Sequence, residues 1–235
     1  MKIAVISDIH SNIDALESVL KDIESKHVDE IICTGDLVGY LPFPNEVIKC
    51  FKSNAIKSIK GNHDVKVLDY KPVDLSHKSK EELQAGASIV YTTNTITKES
   101  LNYLDQLPEK IVLEHEGIKV LFVHGSPRKI NEYMYEEDDH LEEIAENLEE
   151  DVLVFGHTHV PYHKIVKGKH FINPGSVGKP KHGNQKSAYM IIGLNDGIVT
   201  SELVQVTYDL TRICKAIEDE VLISDKLIEN LKNGN

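Results

Sequence analysis

Ile3-Ala4-Val5-Ile6-Ser7-Asp8-Ile9-His10 begins as an apolar run and ends in a carboxylate and an imidazole. The same design recurs down the chain. Ile31-Ile32-Cys33 leads into Thr34-Gly35-Asp36, and the run from Ile56 to Ile59 leads into Lys60-Gly61-Asn62-His63-Asp64. Val120–Val123 leads into His124-Gly125, and Val152–Phe155 into Gly156-His157-Thr158-His159. Phe171-Ile172 leads into Asn173-Pro174-Gly175-Ser176. Runs this short and continuous read as strands covered on both faces.

Helical patterns lie between the early runs. Ala15, Leu16, Val19, Leu20 and Ile23 form an apolar stripe, with Ser11 or Asn12 as its N-cap. Asn45 is expected to cap a helix carrying Val47, Ile48 and Phe51. Strand–helix–strand alternation implies parallel pairing with the helices outside. Late in the chain Tyr189–Ile192, Gly197–Thr200 and Leu203–Val206 read as consecutive strands, with a hairpin turn at Asn195-Asp196-Gly197. The sheet is therefore mixed. Residues 65–110 have a helical pattern and form either a cap over the strand ends or a surface segment. Residues 211–235 form a helical tail of two short helices, the second opening at Ser224.

The 235 residues fit one domain spanning 1–235. A net charge of −12 argues against a protein that tracks along nucleic acid, which would present basic surface. Cys33, Cys50 and Cys214 are too few and too scattered for a disulfide framework or a thiolate metal site. They suit a cytoplasmic address. No apolar run approaches the ~20 residues of a membrane span, and no leader pattern precedes the first strand.

The polar residues at the run ends carry the chemistry. Open α/β sheets bind ligands at the C-terminal edge of their strands. Five of the twelve histidines, His10, His63, His124, His157 and His159, fall there. Strand alternation would turn Asp8 and His10 to the same side, and likewise His157 and His159. Imidazole and carboxylate together suit zinc, manganese, iron or nickel. Each piece alone has a plainer reading: Asp8 as a helix cap, Asp36 as a turn residue, Asn62 as an Asx-turn. The ordered set of all of them is far more specific than any piece.

That set, Asp-x-His, Gly-Asp, Gly-Asn-His-Asp, His-Gly and Gly-His-Thr-His, resembles the calcineurin-like metallophosphoesterase superfamily from Lys2 to about Ile192. Gly35-Asp36-Leu37-Val38-Gly39-Tyr40, Pro44-Asn45-Glu46-Val47-Ile48 and His124-Gly125-Ser126-Pro127 resemble its small prokaryotic phosphodiesterase-type branch. The resemblance implies an α/β fold, a four-layer α/β/β/α sandwich with two mixed β-sheets and a helical insertion. It implies two divalent metal ions (manganese favoured, with iron, zinc or nickel as alternatives). Asp8, His10 and His159 would hold the first, Asn62, His124 and His157 the second, and Asp36 would bridge them through its two carboxylate oxygens. A metal-bridging hydroxide would be the nucleophile. His63 would donate a proton to the leaving oxygen, with Asp64 orienting and charging it. Arg128, and Lys181 or Lys179, either contact substrate phosphate or stay solvated at the surface, and relatives tend to carry arginine where Lys181 stands. The implied substrate is a small phosphorylated molecule, a nucleotide among the candidates, cleaved at a phosphodiester or phosphoanhydride bond. The alternatives are a phosphomonoesterase or protein phosphatase, and a scaffold without turnover. Oligomeric state stays open.

Overall fold

Lys2–Ile6 (β1) is the middle strand of the first sheet, flanked on one side by the parallel strand Glu30–Cys33 (β2) and on the other by the antiparallel strand Ser187–Asn195 (β9). The structure is a computed structural model that describes residues 1–71 and 87–235. Ile13–Glu24 (α1) connects β1 to β2, and Pro44–Ser53 (α2) connects β2 to Lys57–Ser58 (β3). The sheet order is β10-β9-β1-β2-β3, where β10 is Ile198–Val206. The second sheet has the order β4-β5-β6-β8-β7, built from Ile111–His115 (β4), Ile118–Phe122 (β5), Val152–Val154 (β6), Tyr162–Val166 (β7) and Lys169–Asn173 (β8). Its three inner strands are parallel and its two edge pairs antiparallel.

Alternation along each strand fills three apolar layers. Ile3, Val5 and Ile32 face Val120, Phe122, Val154 and Ile172 between the two sheets. Ala4 and Ile6 point the other way, onto Leu16 and Val19 of α1 and Val47 and Phe51 of α2. Leu121, Leu153 and Phe171 point outward onto Leu141 and Ile144 of the helix His140–Asn147 (α6). The result is the expected α/β/β/α sandwich. Leu16 and Val19 are wholly buried, so truncating Leu16 to alanine would cost about 2–5 kcal/mol.

The remaining described helices are Asn62–Leu68 (α3), Ala87–Thr95 (α4), Lys98–Gln106 (α5), Thr211–Glu218 (α7) and Lys226–Asn233 (α8). Val67 of α3 and Leu104 of α5 join the core cluster under α1 and α2, widening the helical layer on the first sheet. Residues 72–86 of the expected cap lie outside the described residues. In the tail, Ile213, Ile217, Leu227, Ile228 and Leu231 close around Leu41. Among the described residues, no helix is long and apolar enough to cross a membrane.

Three readings change. The two late strands are one, because β10 pairs with β9 along its whole length and, at a sheet edge, tolerates Ser201 and Glu202 mid-strand. The turn before it carries Asp196 at φ 49° and Gly197 at φ 76°, the left-handed pair a two-residue hairpin requires. Strands β4 and β7 are edge strands outside the expected set. Asn45 does not cap α2: Phe43 holds that position and Pro44 opens the helix. Instead the Asn45 side chain donates to Thr95 O at 2.9 Å and accepts from Thr97 N at 2.9 Å, tying α2 to the helices that follow. Asn12 does cap α1, its Oδ1 accepting from Ala15 N at 3.1 Å.

Candidate metal centre

Neither Asp8 nor His10 lies on a strand. β1 ends at Ile6, and the loop beyond it runs beside the loop beyond β2: Asp8 N donates to Gly35 O at 3.0 Å and His10 N to Asp36 O at 2.9 Å. Asp8, His10, Asp36, His157 and His159 all have positive φ, between 47° and 66°. Left-handed backbone at non-glycine residues is costly and gathers at functional sites. Alternation on a strand is therefore not what makes these side chains converge. Successive left-handed turns do so.

Two clusters form at this edge, Asp8 with His10 and His159, and Asp36 with His124 and His157, all buried. His159 Nε2 lies 3.3 Å from Asp8 Oδ1 and 3.1 Å from His10 Nε2. His124 Nε2 lies 3.0 Å from Asn62 Oδ1. Asp36 Oδ2 stands 3.7 Å from His10 Nε2 and 3.4 Å from His124 Nε2, and so faces both clusters. Its other oxygen, Oδ1, accepts from His63 N at 2.7 Å. Of the two carboxylate oxygens, Oδ2 faces both clusters while Oδ1 is engaged by the backbone.

The surroundings fix each donor. His159 Nδ1 donates to Lys179 O at 2.6 Å and His124 Nδ1 to Thr34 O at 2.8 Å. These bonds hold a ring proton on the far nitrogen of each and aim Nε2 at the centre. Asp8 Oδ2 accepts from Ser7 Oγ at 2.6 Å and from His157 N at 3.0 Å. Asp8 Oδ1 and His157 Nε2 are buried with no hydrogen-bond partner. Buried polar atoms left without partners are costly, and lone pairs facing one another repel. A divalent cation in each cluster relieves both penalties, so the residues fit the metals that the resemblance implies.

The charge balance points the same way. Burial works to raise the carboxyls of Asp8 and Asp36, yet the histidines beside them, His159 for Asp8 and His124 for Asp36, hold both below the usual carboxylate range. Burial opposes a charge on His124, but Asp36 carries it up to about 9. Burial pushes His157 down to about 4. The pocket thus favours positive charge beside Asp36.

The Asn173–Ser176 loop braces the site. Asn173 Nδ2 donates to Gly156 O at 2.7 Å, and Ser176 Oγ donates to Asp8 O at 2.8 Å. A Cβ on the neighbouring Gly178 would meet Ile9 O at 1.8 Å, so only glycine lets that loop lie against the β1 loop.

Asp64 does not orient His63. Its carboxylate accepts from Val38 N at 3.1 Å and Gly61 N at 2.8 Å, clasping the Asp36 and Asn62 loops together. Burial, with Asp36 adding to it, raises the Asp64 carboxyl to about 7. His63 Nδ1 has no partner, and burial lowers this imidazole to about 3. Both Asp64 oxygens accept from backbone amides rather than from the His63 ring. Arg128 turns to the surface, its guanidinium donating to Glu132 at 2.6 Å and Glu143 at 3.1 Å. It is not among the residues lining the cleft over the two clusters. That cleft, of about 160 Å³, is lined by His63 and Lys181 and also by Lys66, Tyr40, Asn131 and Tyr133. Lys179 is buried and contributes its carbonyl to His159. Tyr40 was passed over as a site residue. Its ring packs 4.7 Å from His10 and 4.5 Å from His63, holding both in place.

A four-layer sandwich with two Asp/His clusters at the shared edge of its sheets defines a metal-site protein of the phosphoesterase class. The family model described as "Calcineurin-like phosphoesterase superfamily domain" matches residues 1–197. The chain belongs to that superfamily. It is 35% identical over 232 residues to an uncharacterized protein of Methanocaldococcus jannaschii, covering 92% of this chain and 91% of the relative. It is 25% identical over 216 residues to the phosphodiesterase YfcE of Escherichia coli K12, covering 86% and 97%. A metallophosphoesterase from Sphaerobacter thermophilus superposes with a TM-score of 0.81 at 28% identity, covering 100% of this chain and 99% of that one.

Proposed function

We propose that the chain hydrolyses phosphodiester or nucleotide-type phosphoanhydride bonds at a pair of divalent cations. The observation that carries this reading is Asp36 Oδ2, placed 3.7 Å from His10 Nε2 and 3.4 Å from His124 Nε2. Two neighbouring cations repel, and an anion shared between them offsets that. Asp8, His10 and His159 would hold one, and Asn62, His124 and His157 the other. When bound, the pair supplies Lewis acidity toward phosphoryl oxygens and a hydroxide nucleophile at neutral pH. The nitrogen and oxygen donors suit manganese, iron, zinc or nickel, with manganese favoured.

The chain's own residues do the rest. His63 lines the cleft beside Asn62; the negative charge of a bound phosphate would counter the burial that lowers its pKa, and His63 would then protonate the leaving oxygen. Lys181, whose backbone N–H donates to His159 O, lines the same cleft and would hold a phosphate oxygen. The likeness to a relative named phosphodiesterase favours a diester over a monoester. The three free cysteines suit a cytoplasmic address.

The test is a panel of diesters, cyclic nucleotides, dinucleoside polyphosphates and monoesters, run with each metal. Diester or anhydride turnover with at least one metal is expected; inactivity across the whole panel sinks the proposal. His63→Ala should keep its metal and lose turnover by roughly 10²–10⁴. A small loss, or one that does not grow with leaving-group pKa, removes the acid role.

A further inference from the structure

Tyr133, Met134 and Tyr135 alternate exposed, buried, exposed. Met134 is wholly buried in the core outside the second sheet, beside Leu141, Phe155 and Tyr162. Its carbonyl accepts from the Tyr162 hydroxyl at 3.0 Å. This anchored plug forces both neighbours outward. Tyr135 is held further by its backbone N–H, which donates to Asp138 Oδ2 at 2.7 Å.

The two outward rings are 48% and 41% exposed, lie within 4° of parallel and have centroids 5.8 Å apart. Among the described residues, the other large apolar side chains this exposed are aliphatic. Tyr133 stands at the metal centre, its ring 4.2 Å from His157 in the cleft that Lys66 and Lys181 also line, and Tyr135 stacks on Tyr133. Parallel aromatic rings left wet at the mouth of a polar cleft offer a planar ligand a large apolar face.

We propose that Tyr133 and Tyr135 form a stacking platform for a nucleobase, so that the substrate is a nucleoside phosphoester or anhydride. Its phosphate sits at the metal centre and its base lies on the tyrosines. This rests on the phosphoesterase reading above and names its substrate class. Every base has a π-face, so the platform selects for a base without strongly selecting which one. Lys66 and Lys181 supply positive charge in a chain whose net charge is −12, which suits a phosphate arriving between them.

Calorimetric titration of the manganese-loaded full chain with AMP and with ribose 5-phosphate isolates the base, the only difference between the two ligands. AMP should bind roughly tenfold or more tightly. Tyr135→Ala, which leaves the Tyr133–His157 contact in place, should erase most of that ratio while ribose 5-phosphate binds as before. Tyr133→Phe should keep the ratio and Tyr133→Ala lose it. If the protein turns over AMP, the same ratio is read as kcat/KM. Equal affinities for the two ligands overturn the platform. So does absence of AMP binding, or an equal loss for both ligands in Tyr135→Ala. Lack of hydrolysis with the AMP preference intact would sink the proposed reaction and leave the platform standing.

Discussion

The backbone N–H of His63 donates to Oδ1 of Asp36 at 2.7 Å, leaving Oδ2 alone to face both histidine clusters. A loop from one strand end thereby sets the carboxylate of another. Without cations the centre keeps unpartnered acceptors at Asp8 Oδ1 and His157 Nε2, so metal binding and folding should be coupled. At about one hundred times the dissociation constant, manganese should add about 2.7 kcal/mol. For a chain of this size that raises Tm by about 5–10 °C. Asp36→Ala should abolish the paired binding and most of that shift, as read by scanning calorimetry with metal analysis. An unchanged shift would show that Asp36 is not shared.

Gly61 tests the same relationship from the other side. A Cβ there would lie 2.1 Å from both Asp36 N and Asp36 Oδ1. Gly61→Ala must therefore push Asp36 out of place. Metal affinity should fall roughly 10–100-fold, the scale seen when groups that orient a ligand are lost. Equilibrium dialysis measures it; wild-type affinity would mean that the loop can move aside freely.

The sequence made the inner strands and the metal-competent loops legible because both repeat. A continuous apolar run marks a strand covered on both faces, and β1, β2, β5 and β6 are such strands. β4 was legible too, since Ile111-Val112-Leu113 is an apolar run as long as that of β2, yet it was not among the expected strands. β7 escaped because His163 and Lys164 interrupt it. The seven candidate ligands implied by the family resemblance come together at one edge. What spacing could not reveal is how they arrive. The reading assumed strand alternation, whereas the chain uses left-handed turns at Asp8, His10 and Asp36. Nor could it show which oxygen of Asp36 is free, since a backbone amide 27 positions away decides that.

Asn12 joins three elements through one side chain. Its Oδ1 caps α1, while its Nδ2 donates to Gly178 O at 2.9 Å and to the Tyr208 hydroxyl at 3.0 Å. Loss of a cap costs about 1 kcal/mol, and leaving buried partners unpaired costs about 1–3 kcal/mol more. Asn12→Ala should therefore destabilise by about 2–4 kcal/mol in urea titration. Gly178 lies against Ile9, between Asp8 and His10, so metal affinity should fall with stability. A loss below about 0.5 kcal/mol would show that water replaces the side chain.

Asp64 separates two accounts of the residues around His63. Both carboxylate oxygens accept from backbone amides, Oδ1 from Val38 and Oδ2 from Gly61. As a clasp, it should be felt first in stability and metal binding. Asp64→Ala leaves two buried amides unpaired and should cost about 2–4 kcal/mol, with weaker metal binding. Asp64→Asn keeps one acceptor oxygen and should recover part of both losses. If Asp64 instead acted by charging His63, either substitution would remove turnover alike, while stability and metal affinity held. Urea titration and metal dialysis on the two variants decide between these outcomes. The geometry favours the first, because neither Asp64 oxygen is free to reach the imidazole without giving up a backbone amide.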